Sequence, residues 1–159
     1  MIRLNNGDAF PALTLDTVKD GALSVTHHLA GSHGVVLLYR GAWCPYCNAQ
    51  LAGFARAKAA LDELGLKVVA LSVDGIADAT ALVDKHRLNF PVGYGADAEK
   101  IAAATGAYVN DSPRYLQSTG FVLDPGGKVI TSVYSSGAIG RLVAEDVIGF
   151  VRYVKSKAA

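Results

Sequence analysis

The chain has 159 residues, 51% of them apolar and 18% charged, with a formal net charge of +1. That length suits one domain, spanning 1–159, able to bury about two-thirds of its unfolded surface. Near-neutral charge without a basic stretch excludes nucleic acid as a partner, and no apolar run approaches the ~20 residues needed to span a bilayer.

The first residues, "MIRLNNGDAFPALTL", carry an early Arg with no apolar run behind it, so no secretory signal is read and the cytoplasm is the expected compartment. Residues 13–26, "LTLDTVKDGALSVT", read as two short alternating strands around the turn "KDG". "GVVLLYR" (34–40) is apolar on both faces, as a central, doubly covered strand would be. Behind it, Leu51, Phe54, Leu61 and Leu64 mark one face of a helix that Gly65 stops. "LKVVALSVD" (66–74) is the next buried strand, so residues 34–74 form a βαβ unit.

Further on, "IADATALVDKHRL" (76–88) is expected to be helical, "FPVGYG" to hold a short strand or turn, and "DAEKIAAATGA" (97–107) to be a helix ended by Gly106. "GFVLD" and "KVITSVY", joined by "PGG", predict a hairpin. Between Leu142 and Lys157, Val143, Val147, Phe150, Val151 and Val154 share one helical face. The expected architecture is an α/β domain: a mixed central sheet with helices on both faces and an N-terminal β-hairpin.

The two cysteines, Cys44 and Cys47, sit in "YRGAWCPYC" at the first turn of the βαβ unit. Pro45 suits the first helical position because its missing N–H would be unpaired there anyway. Cys44 is then the N-cap and Cys47 lies at the third helical position. Both sulfurs stand beside unpaired backbone N–H groups at the positive end of the helix dipole, which favours thiolate. Arg40 is a candidate fixed positive charge for the same sulfurs. Trp43 either shields the turn or meets a partner.

A lone CxxC in a cytoplasmic chain reads as redox chemistry. Zinc would need about four ligands, and His27 and His28 complete a set only if they fold over the turn. His33 and His86 are read as surface or satisfied histidines with nothing pairing them to the site.

The strings "GDAFPALTLD", "VVALSVD", "KHRLNFPV", "AEKIAAATGAYV" and "GFVLDPGGKVI", in that order, resemble the peroxiredoxins of the thioredoxin-fold superfamily (the alkyl hydroperoxide reductase/thiol-specific antioxidant family). The nearest likeness is to a subgroup with an "RGxWCPYC" active site. The resemblance implies a thioredoxin-like fold, peroxide reduction through cysteine thiolates, and no metal or organic cofactor. It also implies re-reduction by an external dithiol or small thiol of thioredoxin, glutaredoxin or low-molecular-weight type.

Laid on the peroxiredoxin pattern, Cys47 takes the peroxidatic place, Cys44 replaces the usual Thr and Arg40 the usual Pro. On the thioredoxin pattern Cys44 attacks and Cys47 resolves. The late-strand position that holds Arg in peroxiredoxins and cis-Pro in thioredoxins holds Ser118, and Ser118 and Thr119 are expected to support the active-site turn. Arg114 could substitute for the missing guanidinium only by folding back, so Arg40 is the better candidate.

The preferred expectation is a thiol peroxidase cycling through a Cys44–Cys47 disulfide, with Cys47 attacking and Arg40 supplying positive charge. The alternatives are a thiol–disulfide oxidoreductase and a non-enzymatic redox sensor. A homodimer contact is expected, if anywhere, at "GAYVNDSPRYL".

Overall fold

In the computed structural model, which describes residues 3–158, the run Gly34–Leu38 (β3) is buried at every position and is an interior strand of a seven-stranded sheet. Its β-branched and leucine side chains fill both faces: Val35, Leu37 and then Tyr39 pack to one side, Val36 and Leu38 to the other. Beside it lie the parallel strands β4 (Lys67–Leu71) and β5 (Val92–Tyr94). Parallel neighbours need crossovers, which are the helices between them.

The N-terminal hairpin of β1 (Thr14–Thr17) and β2 (Gly21–Ser24) closes one edge, β1 running antiparallel to β5. Its turn is tied by Thr17, whose hydroxyl donates to the Gly21 carbonyl at 2.7 Å and accepts from the Asp20 N–H at 2.9 Å. The five-residue helix α1 (Val25–Leu29) follows, capped by the Ser24 side chain. It is too short to show a helical period in the sequence, and Val25 and Thr26, expected as the end of the second strand, are its first residues.

Between β3 and β4 the expected single helix is two: α2 (Pro45–Arg56) and α3 (Lys58–Glu63), broken at Ala57 (φ −86°, ψ 9°). Leu51, Phe54 and Leu61 are buried as expected, and Leu64, the C-cap of α3, is partly buried against the same layer. Helix α4 (Ile76–His86) precedes β5 and ends on Arg87 in the left-handed region. Helix α5 (Ala98–Thr105) begins at Asp97, whose carboxylate accepts from the Glu99 and Lys100 N–H groups, and stops at Gly106 (φ +89°). A side chain at Gly106 would also collide with Arg3.

A two-stranded ribbon, β6 (Val109–Asn110) with β7 (Tyr115–Leu116), leads to the expected hairpin. Its strands, β8 (Thr119–Leu123) and β9 (Val129–Tyr134), are antiparallel, and β8 pairs with β3. Helix α6 (Ala144–Ala158) closes the described chain. Val147 and Val151 are buried as expected, but Val143 lies before the helix and is exposed.

The sheet therefore separates two apolar layers. One joins Val35, Leu37 and Tyr39 to Leu51, Phe54, Leu82 and Val147 from the helices α2, α4 and α6. The other joins Val36, Leu38 and Phe121 to Val25, Leu29 and Ile101 from α1 and α5. Both cysteines belong to the first layer, under the C-terminal end of β3. No described helix is long and apolar enough to cross a membrane.

Candidate active site

Strand β3 delivers Tyr39 and Arg40 to the sheet's end, and Gly41–Trp43 turn the chain into α2. Gly41 is required there: the Trp43 indole lies so close that any Cβ at position 41 would run into it. The turn is held from three directions. The Asp74 carboxylate, after β4, accepts from the Ala42 N–H at 2.8 Å. The Asn48 amide nitrogen donates to the Ala42 and Cys44 carbonyls at 2.8 and 2.7 Å. Its amide oxygen lies 2.6 Å from His86 Nε2 on α4, so that histidine nitrogen carries the proton and donates. His86, read from the sequence as unconnected to the site, thus braces the active-site turn through Asn48.

Cys44 is the N-cap of α2 and Pro45 the first helical residue, as expected. Cys44 Sγ accepts from the Cys47 N–H at 3.3 Å and from Arg40 Nη1 at 3.7 Å. Cys47 Sγ accepts from the Arg40 main-chain N–H at 3.4 Å and from Arg141 Nη1 at 3.3 Å. Both thiols are free and fully buried. Trp43 and Tyr46, on either side of Cys44, are by contrast about half exposed.

Burial pushes the Cys44 thiol up. The hydrogen bond from the Cys47 thiol, the Cys47 N–H, Arg40 and the nearby charge of Arg141 outweigh it, leaving Cys44 below the ordinary cysteine value. Cys47 moves the other way: burial and donation to Cys44 raise it against the opposing pull of the Arg40 N–H and Arg141. Of the two sulfurs Cys44 is therefore the one that ionises more readily, with the Cys47 thiol donating toward it.

Arg40 is fixed as well as charged. Its Nε donates to Gln117 Oε1 at 3.1 Å and its Nη2 to the Tyr115 hydroxyl at 2.9 Å. Its guanidinium also stacks 4.9 Å from the Trp43 ring and 5.2 Å from that of Tyr115. Trp43 and Tyr115 meet edge to face at 4.9 Å.

The late segment thus reaches the site through Tyr115 and Gln117. Thr119 donates to the Gln117 carbonyl at 3.1 Å, and the buried Ser118 hydroxyl has no partner; neither bonds a cysteine or Arg40. Arg114 does not fold back: it pairs with Glu99 at 2.5 Å and Asp111 at 3.2 Å on the surface. His27 and His28 sit on α1, whose buried residues pack on the opposite face of the sheet from the cysteines.

Arg141 was not found from the sequence. It comes from the loop between β9 and α6, where Ser135 binds the Gly137 and Ile139 carbonyls and Gly140 adopts φ +88°. Gln50 on α2 clamps that loop, donating to the Leu142 carbonyl at 2.8 Å while accepting from Arg141 at 3.2 Å. Arg141 also donates to the Ala138 carbonyl at 2.6 Å. A single basic residue in a short glycine loop, "SSGAIGRLV", is the only local signal it leaves.

Two free thiols joined by a hydrogen bond, each facing a guanidinium at a helix N-terminus, form a site for nucleophilic sulfur and for reversible disulfide formation. A family model described as the AhpC/TSA family matches residues 6–132. A peroxiredoxin of Treponema denticola is 27% identical over 145 residues, covering 89% of this chain and 69% of that protein. A thiol-disulfide oxidoreductase ResA of Oceanobacillus iheyensis is 30% identical over 98 residues, 58% of this chain and 50% of that one.

Among solved structures, Enterococcus faecalis AhpC has a TM-score of 0.83 at 18% identity, covering 99% of this chain and 95% of that one. Peroxidoxin BcpB from Mycobacterium tuberculosis has a TM-score of 0.82 at 18% identity, covering 96% and 99%. These likenesses establish the thioredoxin-like fold expected from the sequence.

Proposed function

The chain belongs to the AhpC/TSA family and is a thiol-dependent peroxidase; on that premise we propose that it reduces hydroperoxides through a dithiol–disulfide cycle between Cys44 and Cys47, with Cys47 attacking. The observation that carries this reading is the pair of donors on Cys47 Sγ, the Arg40 N–H and the Arg141 guanidinium. They oppose the burial that raises the Cys47 thiol, and they point positive charge at the place where negative oxygen develops.

Cys44, once ionised, takes the proton from the Cys47 thiol. The Cys47 thiolate attacks the terminal peroxide oxygen, the O–O bond breaks, and water or alcohol leaves after taking a proton from solvent. Cys47 is now a sulfenic acid. Cys44 attacks it, an S–S bond forms and water leaves. An external dithiol reduces the disulfide by two exchange steps, becoming a disulfide itself.

Arg40 keeps negative charge favourable on Cys44, and Trp43, Pro45 and the Ser118–Thr119 segment shape the surrounding turn. We place the cycle in one domain in the cytoplasm. The reductant is of thioredoxin, glutaredoxin or low-molecular-weight type, and a homodimer contact is assigned to residues 106–116, where Tyr108 is exposed.

The test is peroxide consumption with dithiothreitol as reductant, with the oxidised product read by mass. Wild type should turn over and return an intramolecular disulfide, two hydrogens lighter. The Cys47→Ser protein should be inactive. Turnover that persists in that variant would reverse the roles of the two sulfurs.

A specific observation supports a second activity, thiol–disulfide exchange at Cys44. Its thiol is the one held below the ordinary value, and the half-exposed Trp43 beside it offers a surface to a disulfide substrate. Insulin reduction abolished by Cys44→Ser would establish it. No insulin reduction alongside rapid peroxide turnover would remove it.

A further inference from the structure

Three buried polar side-chain atoms among the described residues have no hydrogen-bond partner: Arg3 Nε, Tyr39 Oη and Ser118 Oγ. Arg3 stacks on the Tyr108 and Tyr134 rings. The Tyr39 hydroxyl is next to the Ser72 side chain, which follows β4, without meeting it in hydrogen-bonding geometry. Ser118 is 1% exposed, and a hydroxyl buried without a partner costs stability.

Ser118 immediately precedes β8. Its carbonyl accepts from the Ser135 N–H at 3.0 Å, so the β8–β9 ladder runs one step beyond the strands. The Tyr39 N–H donates to the Leu71 carbonyl at 3.1 Å and prolongs β3 in the same way. Because Leu38 pairs with Thr119, Ser118 stands opposite Tyr39, and its side chain faces the apolar layer that holds both cysteines.

Three neighbours on that face locate the hydroxyl. The residue after Tyr39 gives its N–H to Cys47 Sγ at 3.4 Å. Ser135, opposite Ser118 on the other side, ties the loop that carries Arg141. Gly120, two residues along β8, is covered by the residue after Arg141: a Cβ there would lie 2.7 Å from Leu142 Cδ1. Cys47 Sγ is held between the Arg40 N–H and Arg141, and Ser118 lies beneath the space between those two supports.

We propose that Ser118 is a catalytic residue of the resolving step: its hydroxyl donates a hydrogen bond to the oxygen that Cys47 acquires on becoming a sulfenic acid. The assignment rests on the reading that Cys47 attacks peroxide. The reduced sulfur has no oxygen to receive this donor, which accounts for the unpaired hydroxyl. Once Cys47 carries S–OH, Cys44 attacks that sulfur. The S–O bond breaks as the S–S bond forms, Cys44 is oxidised as the sulfenic sulfur is reduced, and the oxygen leaves as water with the Cys44 thiol proton. Negative charge grows on the oxygen as the S–O bond lengthens, so a donor fixed beside the strand serves it best in the transition state.

Ser118→Ala separates the stability cost of this hydroxyl from its use. By calorimetry the reduced variant should melt about 2–4 °C above wild type, because a buried unpaired group is removed. Stopped-flow Trp43 fluorescence with hydrogen peroxide, with species identified by mass after acid quench, resolves sulfenic acid formation from disulfide formation. The ratio of the second rate to the first should fall about ten-fold, the upper range for one neutral hydrogen bond. With a longer-lived sulfenic acid, dimedone should trap more Cys47, and over-oxidation to sulfinic acid should begin at lower peroxide.

An unchanged rate ratio overturns the proposal. So does a lower Tm, which would show the hydroxyl already satisfied in the reduced protein, and so does equal slowing of both phases, which would assign Ser118 to packing alone. Wild type that forms no sulfenic acid at Cys47 would instead overturn the choice of attacking sulfur beneath it.

Discussion

Replacing Arg141 with Met removes one cation and three hydrogen bonds while keeping a long apolar stem. The bond of interest is Arg141 Nη1 to Cys47 Sγ at 3.3 Å; the others go to Gln50 at 3.2 Å and the Ala138 carbonyl at 2.6 Å. A hydrogen bond to a charged partner contributes about 1.5–3 kcal/mol, and loss of a transition-state donor in a dry site costs about 10²–10³ in rate. Arg141 is only partly buried, so solvent screens part of this and the lower end applies.

The expected outcome is a fall of about 10- to 100-fold in the second-order rate of oxidation by peroxide. Arg141→Lys should recover only part of it, because an ammonium cannot serve sulfur, amide and carbonyl with one rigid fork. Stopped-flow fluorescence of Trp43, the only tryptophan, reports the step from beside Cys44. A folded Arg141→Met protein oxidised within about twofold of wild type would refute the claim that this guanidinium activates the site.

Other expectations follow from the same geometry. Tyr115→Phe deletes the 2.9 Å bond that fixes Arg40 and should slow peroxide oxidation about three- to five-fold, less than Arg40→Met. Asn48→Ala leaves the Ala42 and Cys44 carbonyls and His86 without their partner. At about 1 kcal/mol for each of the three lost bonds, and about 2–4 °C per kcal/mol in a domain of this size, calorimetry should show Tm lower by about 6–12 °C.

The reduced protein should titrate in two steps by ultraviolet thiolate absorbance, one below the free-cysteine value of ~8.5 and one above it. The sign for stability follows. The lowered Cys44 thiol contributes stability that is present above ~8.5 and is lost as pH falls through its folded value. The raised Cys47 thiol does the reverse, eroding stability as pH climbs past ~8.5 toward its folded value. A single thiolate step at the free-cysteine value would contradict the opposed shifts of the two thiols.

What the sequence disclosed was local. The N-cap at Cys44, Pro45 at the first helical position and Cys47 one turn in are set by four consecutive residues, and the structure has them there. The buried strands at 34–38 and 67–71 and the hairpin around "PGG" were equally visible as apolar runs between turn residues. What stayed hidden depends on contacts across the fold.

Arg141 lies 94 residues from Cys47, and Tyr115 and Gln117 lie 75 and 77 from Arg40, in segments whose own pattern shows only a loop and a short strand. Ser118 drew attention through the family pattern, yet the residue that bonds Arg40 is its neighbour Gln117. The break at Ala57 and the five-residue α1 escaped because neither involves Pro or a full helical period. His86 looked isolated because its partner Asn48 is 38 residues away.

The central claim is that Cys47 is the sulfur that meets peroxide. Stopped-flow mixing of peroxide with Cys44→Ser and Cys47→Ser, followed by dimedone trapping and peptide mapping, tests it directly. The account predicts sulfenate at Cys47 in the Cys44→Ser protein and no adduct at Cys44 in the Cys47→Ser protein. Rapid sulfenate formation at Cys44 with Cys47 replaced, and none at Cys47 with Cys44 replaced, would contradict it and make Cys44 the attacking thiol.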